Sequence, residues 1–428
     1  MILELKIKNF LSFKDETSFS FEATKDKSYE EYQVVEVAEG IRVLRLAVVY
    51  GANASGKSNL INAFNFLKKF WLSIPENKDE NTGTIPFLLD KETPNLPSEF
   101  SLTFYVRGTK YLYKLELDRK KICSEQLYFY PGTQPANLFD RKLVGSVSEI
   151  TFNPGWIKIS QMAKDEIILK CLPNMSVLAA YNQVNISVPE IDQMIEWTQN
   201  QITNPITPNS SLIPFAESLI AKGGDNRKDI LNYLNRADFN ITNISKEEIE
   251  EKIPDEFINI FINSLGSSNK EESERIRKEK TMKIARTSFE HQVLNDEGVA
   301  EKYKMSSNLQ SQGTLRIFGL SGAIKNAIDK NAFLAIDEVE SSLHPKLVEF
   351  MIEDFLKQSG QSQLLLTTHY DGLLALDDLL RKDSIWFTDK KDNGSTDLYS
   401  LTEFKGLNRI SSLMKAYQTG RFGAIPNI

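Results

Sequence analysis

Cysteine and histidine are scarce in this chain: two of the first, Cys123 and Cys171, and three of the second in 428 residues. Neither cysteine sits in a CxxC or a Cys/His cluster, which excludes a disulfide framework and a zinc site and points to a cytoplasmic protein. Long apolar runs are missing too; none approaches the roughly 20 residues that span a bilayer. The opening segment, Met1 to Phe10, alternates Leu3, Leu5 and Ile7 with Glu4, Lys6 and Lys8. That is a strand pattern, whereas a signal peptide has a continuous apolar centre. Positive charge is also short. A net charge of −7 excludes a protein that coats nucleic acid with its whole surface, so any DNA contact needs a local patch or a partner.

What is present reads as one large or two intimate domains. Strand-like runs cover Ile2–Phe10, Thr17–Phe21 and Val43–Tyr50, the last β-branched and nearly all apolar, as a buried central strand requires. From Lys57 to about Trp71 the pattern turns helical, with Leu60, Ile61, Phe64, Leu67 and Lys68 at helical spacing. Glu99–Arg107, Lys110–Asp118 and Ile122–Tyr130 read as antiparallel strands, and Met175–Tyr181 as a further strand. Residues 186–285 read as mostly helical and polar. Pro189 opens one helix, Ser245-Lys-Glu-Glu248 forms a capping box for another, and Lys270–Arg286 is a charged helix with Glu271/Arg275 and Glu274/Lys278 at i,i+4. From residue 305 strands and helices alternate: helix Thr314–Ala327, strand Phe333–Ile336, helix Pro345–Leu356 and strand Gln363–Thr368 predict a parallel sheet with crossover helices. Asp392-Asn393-Gly394 joins Ile385–Thr388 and Asp397–Leu401 as a hairpin. The predicted class is α/β, with a mixed or parallel core sheet, an antiparallel β part and a helical insertion. The expected boundaries are residues 1–185, 186–300 and 301–428.

Four motifs carry chemistry. Gly51-Ala-Asn53-Ala54-Ser55-Gly56-Lys57-Ser58, followed by Asn59, fits the GxxxxGK[ST] phosphate loop, and it lies between a buried strand and a helix as that motif demands. Its glycines let backbone N–H groups turn toward phosphates, and the helix dipole points its positive end there. Lys57 is expected to bridge the β- and γ-phosphates of ATP and Ser58 to ligate Mg²⁺. Ala332-Phe-Leu-Ala-Ile-Asp337-Glu338 is an apolar strand ending in two acids. Alone it reads as a strand with solvated ends; beside a phosphate loop, Asp337 is the candidate metal-side acid and Glu338 the candidate general base. His369 ends the next strand in Thr367-Thr368-His369 and is a candidate γ-phosphate donor. Ser311-Gln312-Gly313-Thr314 precedes a helix and offers a second anion-facing end, or a plain N-cap. The basic stretch Arg275, Arg277, Lys278, Lys280, Lys283 and Arg286 reads either as a DNA contact or as a solvated helix interleaved with Glu.

The order phosphate loop, Ser-x-Gly-Thr signature, Asp-Glu strand end, Ser341-Ser342-Leu343-His344-Pro345 and Thr-Thr-His resembles the ABC ATPase heads of the SMC/RecF kind. Within that class it is similar to the AAA-type ATPases of bacterial phage-defence operons: RloA/AbiL-like proteins and the ATPases of the PARIS and OLD systems. Ile7-Lys-Asn-Phe-Leu-Ser-Phe13 and Gly420-Arg-Phe-Gly-Ala-Ile-Pro426 share in the likeness, which covers about residues 1–130 and 300–428. The resemblance implies a Mg-ATP-hydrolysing switch in which two copies face each other, Ser311 and Gly313 of one acting on ATP held by the phosphate loop of the other. It also implies a separate effector protein, a nuclease or toxin, with DNA as a possible further partner and no membrane. A sensor or scaffold with little turnover, or a transporter subunit, are the other readings. The signature is Ser-Gln-Gly-Thr in place of the transporter type. Gln183, after Val177–Tyr181, is the candidate third metal-side residue. Only 59 residues follow His369, too few for the metal-binding nuclease domain of OLD proteins.

Overall fold

The computed structural model describes residues 1–145, 147–237, 239–252, 254, 258, 276–376 and 378–426. The chain divides into two compact units, one of Met1–Ser210 with Asn326–Ile428 and one of Ser211–Lys325.

The first unit contains a five-stranded sheet in the order Phe333–Ile336, Gln363–Thr368, Leu46–Gly51, Ile385–Lys390, Thr396–Ser400. The first four strands are parallel and the fifth is antiparallel. Parallel strands covered on both faces are buried along their whole length and mostly apolar. Accordingly, every residue of Leu46–Gly51, Phe333–Ile336 and Gln363–Thr368 is buried. Thr368 registers with Tyr50, and Thr388 with Gly51. The carboxyl ends of three strands therefore meet at one edge, where open parallel sheets place ligands. The run Val43–Tyr50 is split at Arg45 into strands Ile41–Leu44 and Leu46–Gly51. The buried Arg45 guanidinium donates to the carbonyls of Phe355, Leu356 and Gln358, closing the C-terminal end of helix Pro345–Lys357.

A second, seven-stranded antiparallel sheet runs Val147–Phe152, Ala136–Val144, Ile122–Tyr130, Thr109–Leu117, Ser98–Val106, Ile2–Lys8, Thr17–Ser20. Its alternate residues are buried; Tyr111, Tyr113, Leu115 and Leu117 mark the inward face of one strand. Helix Lys57–Leu72 buries Leu60, Ile61, Phe64, Leu67 and Trp71 in the same core. Trp71 meets Tyr113 edge-on at 5.0 Å between ring centres, and truncating so large a buried ring costs about 3–5 kcal/mol.

Three sequence expectations are corrected. Met175–Tyr181 contains the helix Val177–Tyr181, whose first turn is capped by the Ser176 hydroxyl accepting from Leu178 N–H. All five residues are buried. A short, wholly apolar run carries no period that separates strand from helix, and the cap decides it. Ser245–Glu248 does not open a helix; it lies in strand Ile241–Lys252, paired antiparallel with Thr281–Leu294. Pairing with distant residues has overridden a local capping signal. The expected helix Lys270–Arg286 is helical only at residues 276–279 and becomes strand from Thr281; residues 270–275, and with them Glu271, Glu274 and Arg275, lie outside the described residues. The second unit thus contains helices Ile213–Ala221 and Asp225–Arg236 and a three-stranded sheet completed by Ala300–Ser306. Among the described residues no helix is long and apolar enough to cross a membrane.

Candidate active site

The loop between strand Leu46–Gly51 and helix Lys57–Leu72 is tied down from beneath. The Ser55 and Thr388 hydroxyls share a hydrogen bond of 2.6 Å. Thr396 Oγ1 donates to the Ser55 carbonyl at 2.7 Å and pairs with the Ser12 hydroxyl at 2.6 Å. Asn59 Nδ2 donates to Ser12 at 2.7 Å. Gly56 caps the helix at φ +110°, and a Cβ there would overlap the Thr396 side chain. Only glycine satisfies both the left-handed backbone and the close approach. Ala54 is left-handed as well, at φ +61°. Asn53, Ala54 and Ser58 are exposed, while Ser55 and Lys57 are buried.

The Lys57 ammonium donates to the carbonyls of Gly51 at 2.8 Å and Ala52 at 3.0 Å. Burial drops its pKa to about 8, opposed by the negative charges of Asp337, Glu338 and Glu340. A buried cation whose hydrogen bonds go to neutral carbonyls, at the end of a helix that no side chain caps, suits a polyanion.

The acids follow strand Phe333–Ile336. Asp337 is buried and accepts from Thr367 Oγ1 at 2.5 Å. Thr367 Oγ1 in turn accepts from Glu338 N–H at 2.9 Å. Glu338 has φ +46°, a left-handed conformation unusual for a residue with a Cβ. Such strain gathers where the surroundings over-determine a working geometry. His369 follows strand Gln363–Thr368, its backbone N–H donating to Glu340 Oε1 at 2.6 Å. Desolvation first, then the Lys57 charge, holds its imidazole below the ordinary histidine value; Glu340 and Glu338 act the other way.

Lys57, Asp337, Glu338 and His369 are thereby brought to one edge of one sheet. Ser311 lies in the second unit, where its hydroxyl accepts from Thr314 N–H at 3.0 Å and shares a 2.8 Å bond with Thr314 Oγ1. Gly313 is in the first turn of the same helix, Gln312–Asp329. Gln183 follows a helix, where a strand was expected. Its amide turns back to the Ala179 carbonyl at 3.4 Å and the Met175 sulfur at 4.0 Å. Sequence reasoning missed Glu340, Ser12, Thr388 and Thr396. Glu340 was visible as a third acid two residues after Glu338; the hydroxyls had no signal, since they reach the loop from distant segments.

No group of three His, Cys, Asp or Glu side chains able to hold a metal by itself occurs among the described residues. A cation here needs hydroxyl, phosphate and water oxygens, the donor set that Mg²⁺ takes beside one or two carboxylates.

Residues 46–155 and 220–375 match the family model described as "AAA domain, putative AbiEii toxin, Type IV TA system". The matched segments contain the phosphate loop, Ser311, Gly313, Asp337, Glu338 and His369; Gln183 lies outside them. Among solved structures, the SMC head domain from Thermotoga maritima is similar at 13% identity and a TM-score of 0.40, over 93% of this chain and 98% of that one. The SMC head bound to the C-winged helix domain of ScpA matches at 13% identity and a TM-score of 0.41, over 94% and 99%. An Smc head with an extended coiled coil bound to the C-terminal domain of ScpA, derived from Pyrococcus furiosus, matches at 12% identity and a TM-score of 0.39, over 98% and 99%. No curated protein matches the chain.

Proposed function

The chain belongs to this AAA family, and on that premise we propose that it binds and hydrolyses Mg-ATP as a two-copy switch governing a separate effector. The observation that carries the reading is the buried Lys57 ammonium, held by two loop carbonyls at an uncapped helix start and within electrostatic reach of Asp337, Glu338 and Glu340. Lys57 and the loop N–H groups, from Gly51 to Asn59, take the β- and γ-phosphates. Ser58 and Asp337 are the side chains for Mg²⁺, which when bound supplies positive charge to the phosphate oxygens. Gln183 would join them only by leaving Ala179 and Met175. Glu338 accepts the proton of the attacking water, and His369 donates to the γ-phosphate. Ser311 and Gly313 of a second copy complete the phosphate's surroundings.

The family description names a toxin and a toxin–antitoxin system, which supports a defence setting; a nuclease or toxin as effector, a cytoplasmic location and DNA as a further partner belong to the same proposal. Glu338→Gln tests the chemistry. Its amide cannot accept the proton, so turnover falls by about 10²–10⁴-fold while ATP affinity is kept, and the ATP-bound pair persists in size-exclusion chromatography. Wild-type turnover in this variant would move the base elsewhere.

A further inference from the structure

The end of strand Gln363–Thr368 carries two threonines in succession, and successive strand residues point to opposite faces. Thr367 serves Asp337 and Glu338. Thr368 turns the other way and donates to Glu340 Oε2 at 2.7 Å, while the next backbone N–H, that of His369, donates to Glu340 Oε1 at 2.6 Å. Both carboxylate oxygens are engaged by adjacent residues. The left-handed Glu338 makes this possible: it turns the chain so that Val339 N–H reaches the Thr367 carbonyl at 3.1 Å and Ser341 N–H the Glu338 carbonyl at 2.9 Å, folding Glu340 back over the strand end.

We propose that Glu340 is a positioning residue for His369, its carboxylate fixing the backbone turn that carries the imidazole to the phosphate-loop edge of the core sheet. Bonds to an ionised acceptor are short and about twice as strong as neutral ones, so the clamp is stiff. The imidazole it holds interacts with the Gly51 backbone and the Lys57 charge, and a misplacement of about 1 Å at such a site costs on the order of 10²-fold in rate. Because Glu340 immediately precedes the segment Ser341–Pro345, any shift of that segment reaches His369 through the same two bonds. The inference rests on reading His369 as the γ-phosphate donor.

The test is a double-mutant cycle. Glu340→Gln keeps the shape but leaves one acceptor oxygen and faces an N–H₂ toward a donor. Glu340→Gln also removes one negative charge acting on Lys57, which favours bound phosphates, so ATP affinity does not fall while kcat drops about 10–100-fold. His369→Asn lowers kcat too, and adding Glu340→Gln to it produces no further loss, because residues acting through one another are not additive. Multiplying losses, or an unchanged kcat in Glu340→Gln, overturns the proposal. Glu340→Asp, which retains the charge but is one methylene short, replaces Gln in the cycle should Gln not fold by circular dichroism. If the wild-type protein shows no turnover, the ATPase reading fails and the clamp is judged alone by imidazole NMR. The chain has three histidines, and His369→Asn assigns the relevant signal. Glu340→Gln shifts the His369 resonance and leaves those of His291 and His344; an unmoved His369 resonance overturns the clamp independently of activity.

Discussion

Helix Lys57–Leu72 and helix Gln312–Asp329 both begin beside a serine and a glycine, yet they treat their first N–H groups differently. The first starts from a left-handed Gly56 with no side-chain cap, and the nearby Ser55 hydroxyl is turned away toward Thr388. The second caps itself: Ser311 takes the Thr314 N–H. An end left open for its ligand and an end satisfied without one are different devices, although both present positive dipole to solvent. On the proposed reading the phosphate loop is the primary anion site, and Ser311, an N-cap in this structure, also offers its hydroxyl to a phosphate held by another copy.

Lys57→Ala strikes the open end and has the largest effect. Charge-assisted hydrogen bonds contribute about 1.5–3 kcal/mol each, so ATP affinity by calorimetry falls at least about 100-fold; unchanged affinity would remove the phosphate-loop assignment. At the capped end, Ser311→Ala loses about 1 kcal/mol of stability by urea unfolding whatever its other role. Ser311→Asp separates the two roles, since aspartate caps well but repels phosphate. Stability returns to the wild-type value while turnover stays about tenfold or more below it. Recovery of turnover in Ser311→Asp would reduce Ser311 to a cap.

The smallest effect is one of pH. With the Lys57 pKa at about 8 in the free protein, bound phosphates favour the ammonium and raise that value in the complex. Affinity is then fully present below pH 8 and declines as pH rises through it, reaching about tenfold weaker at pH 9 than at pH 7. Calorimetry in two buffers of different ionisation enthalpy reads the accompanying proton uptake. Affinity flat from pH 7 to 9 in the wild type, or an equal decline in Lys57→Ala, would assign the titration elsewhere.

The two ends also differ in how far sequence alone could read them. Strand, Gly-rich turn and helix follow one another around Lys57, so the local pattern contains its own confirmation, and the same holds for Phe333–Ile336 running into Asp337 and Glu338. What holds these motifs in place is not local. Ser12, Thr388 and Thr396 reach the loop from opposite ends of the chain, and no spacing rule connects them. Glu340 was visible as an acid near Glu338, but its role was not, because its partners, Thr368 and His369, lie 28 and 29 residues on. Ile241–Lys252 misled for the related reason that its partner strand begins at Thr281, so a helix-like capping pattern had nothing nearby to contradict it.

Mixing the two broken ends tests the central claim most directly. Lys57→Ala disables the open end of one chain, and Ser311→Arg blocks the phosphate-facing end of the other while sparing its ATP binding. Each protein alone is expected to release no phosphate. Combined, they form pairs with one intact composite site, Lys57 from one copy and Ser311 from its partner, and phosphate release returns. Wild-type turnover by Ser311→Arg alone, or silence in the mixture despite proven exchange of subunits by fluorescence energy transfer, would contradict it.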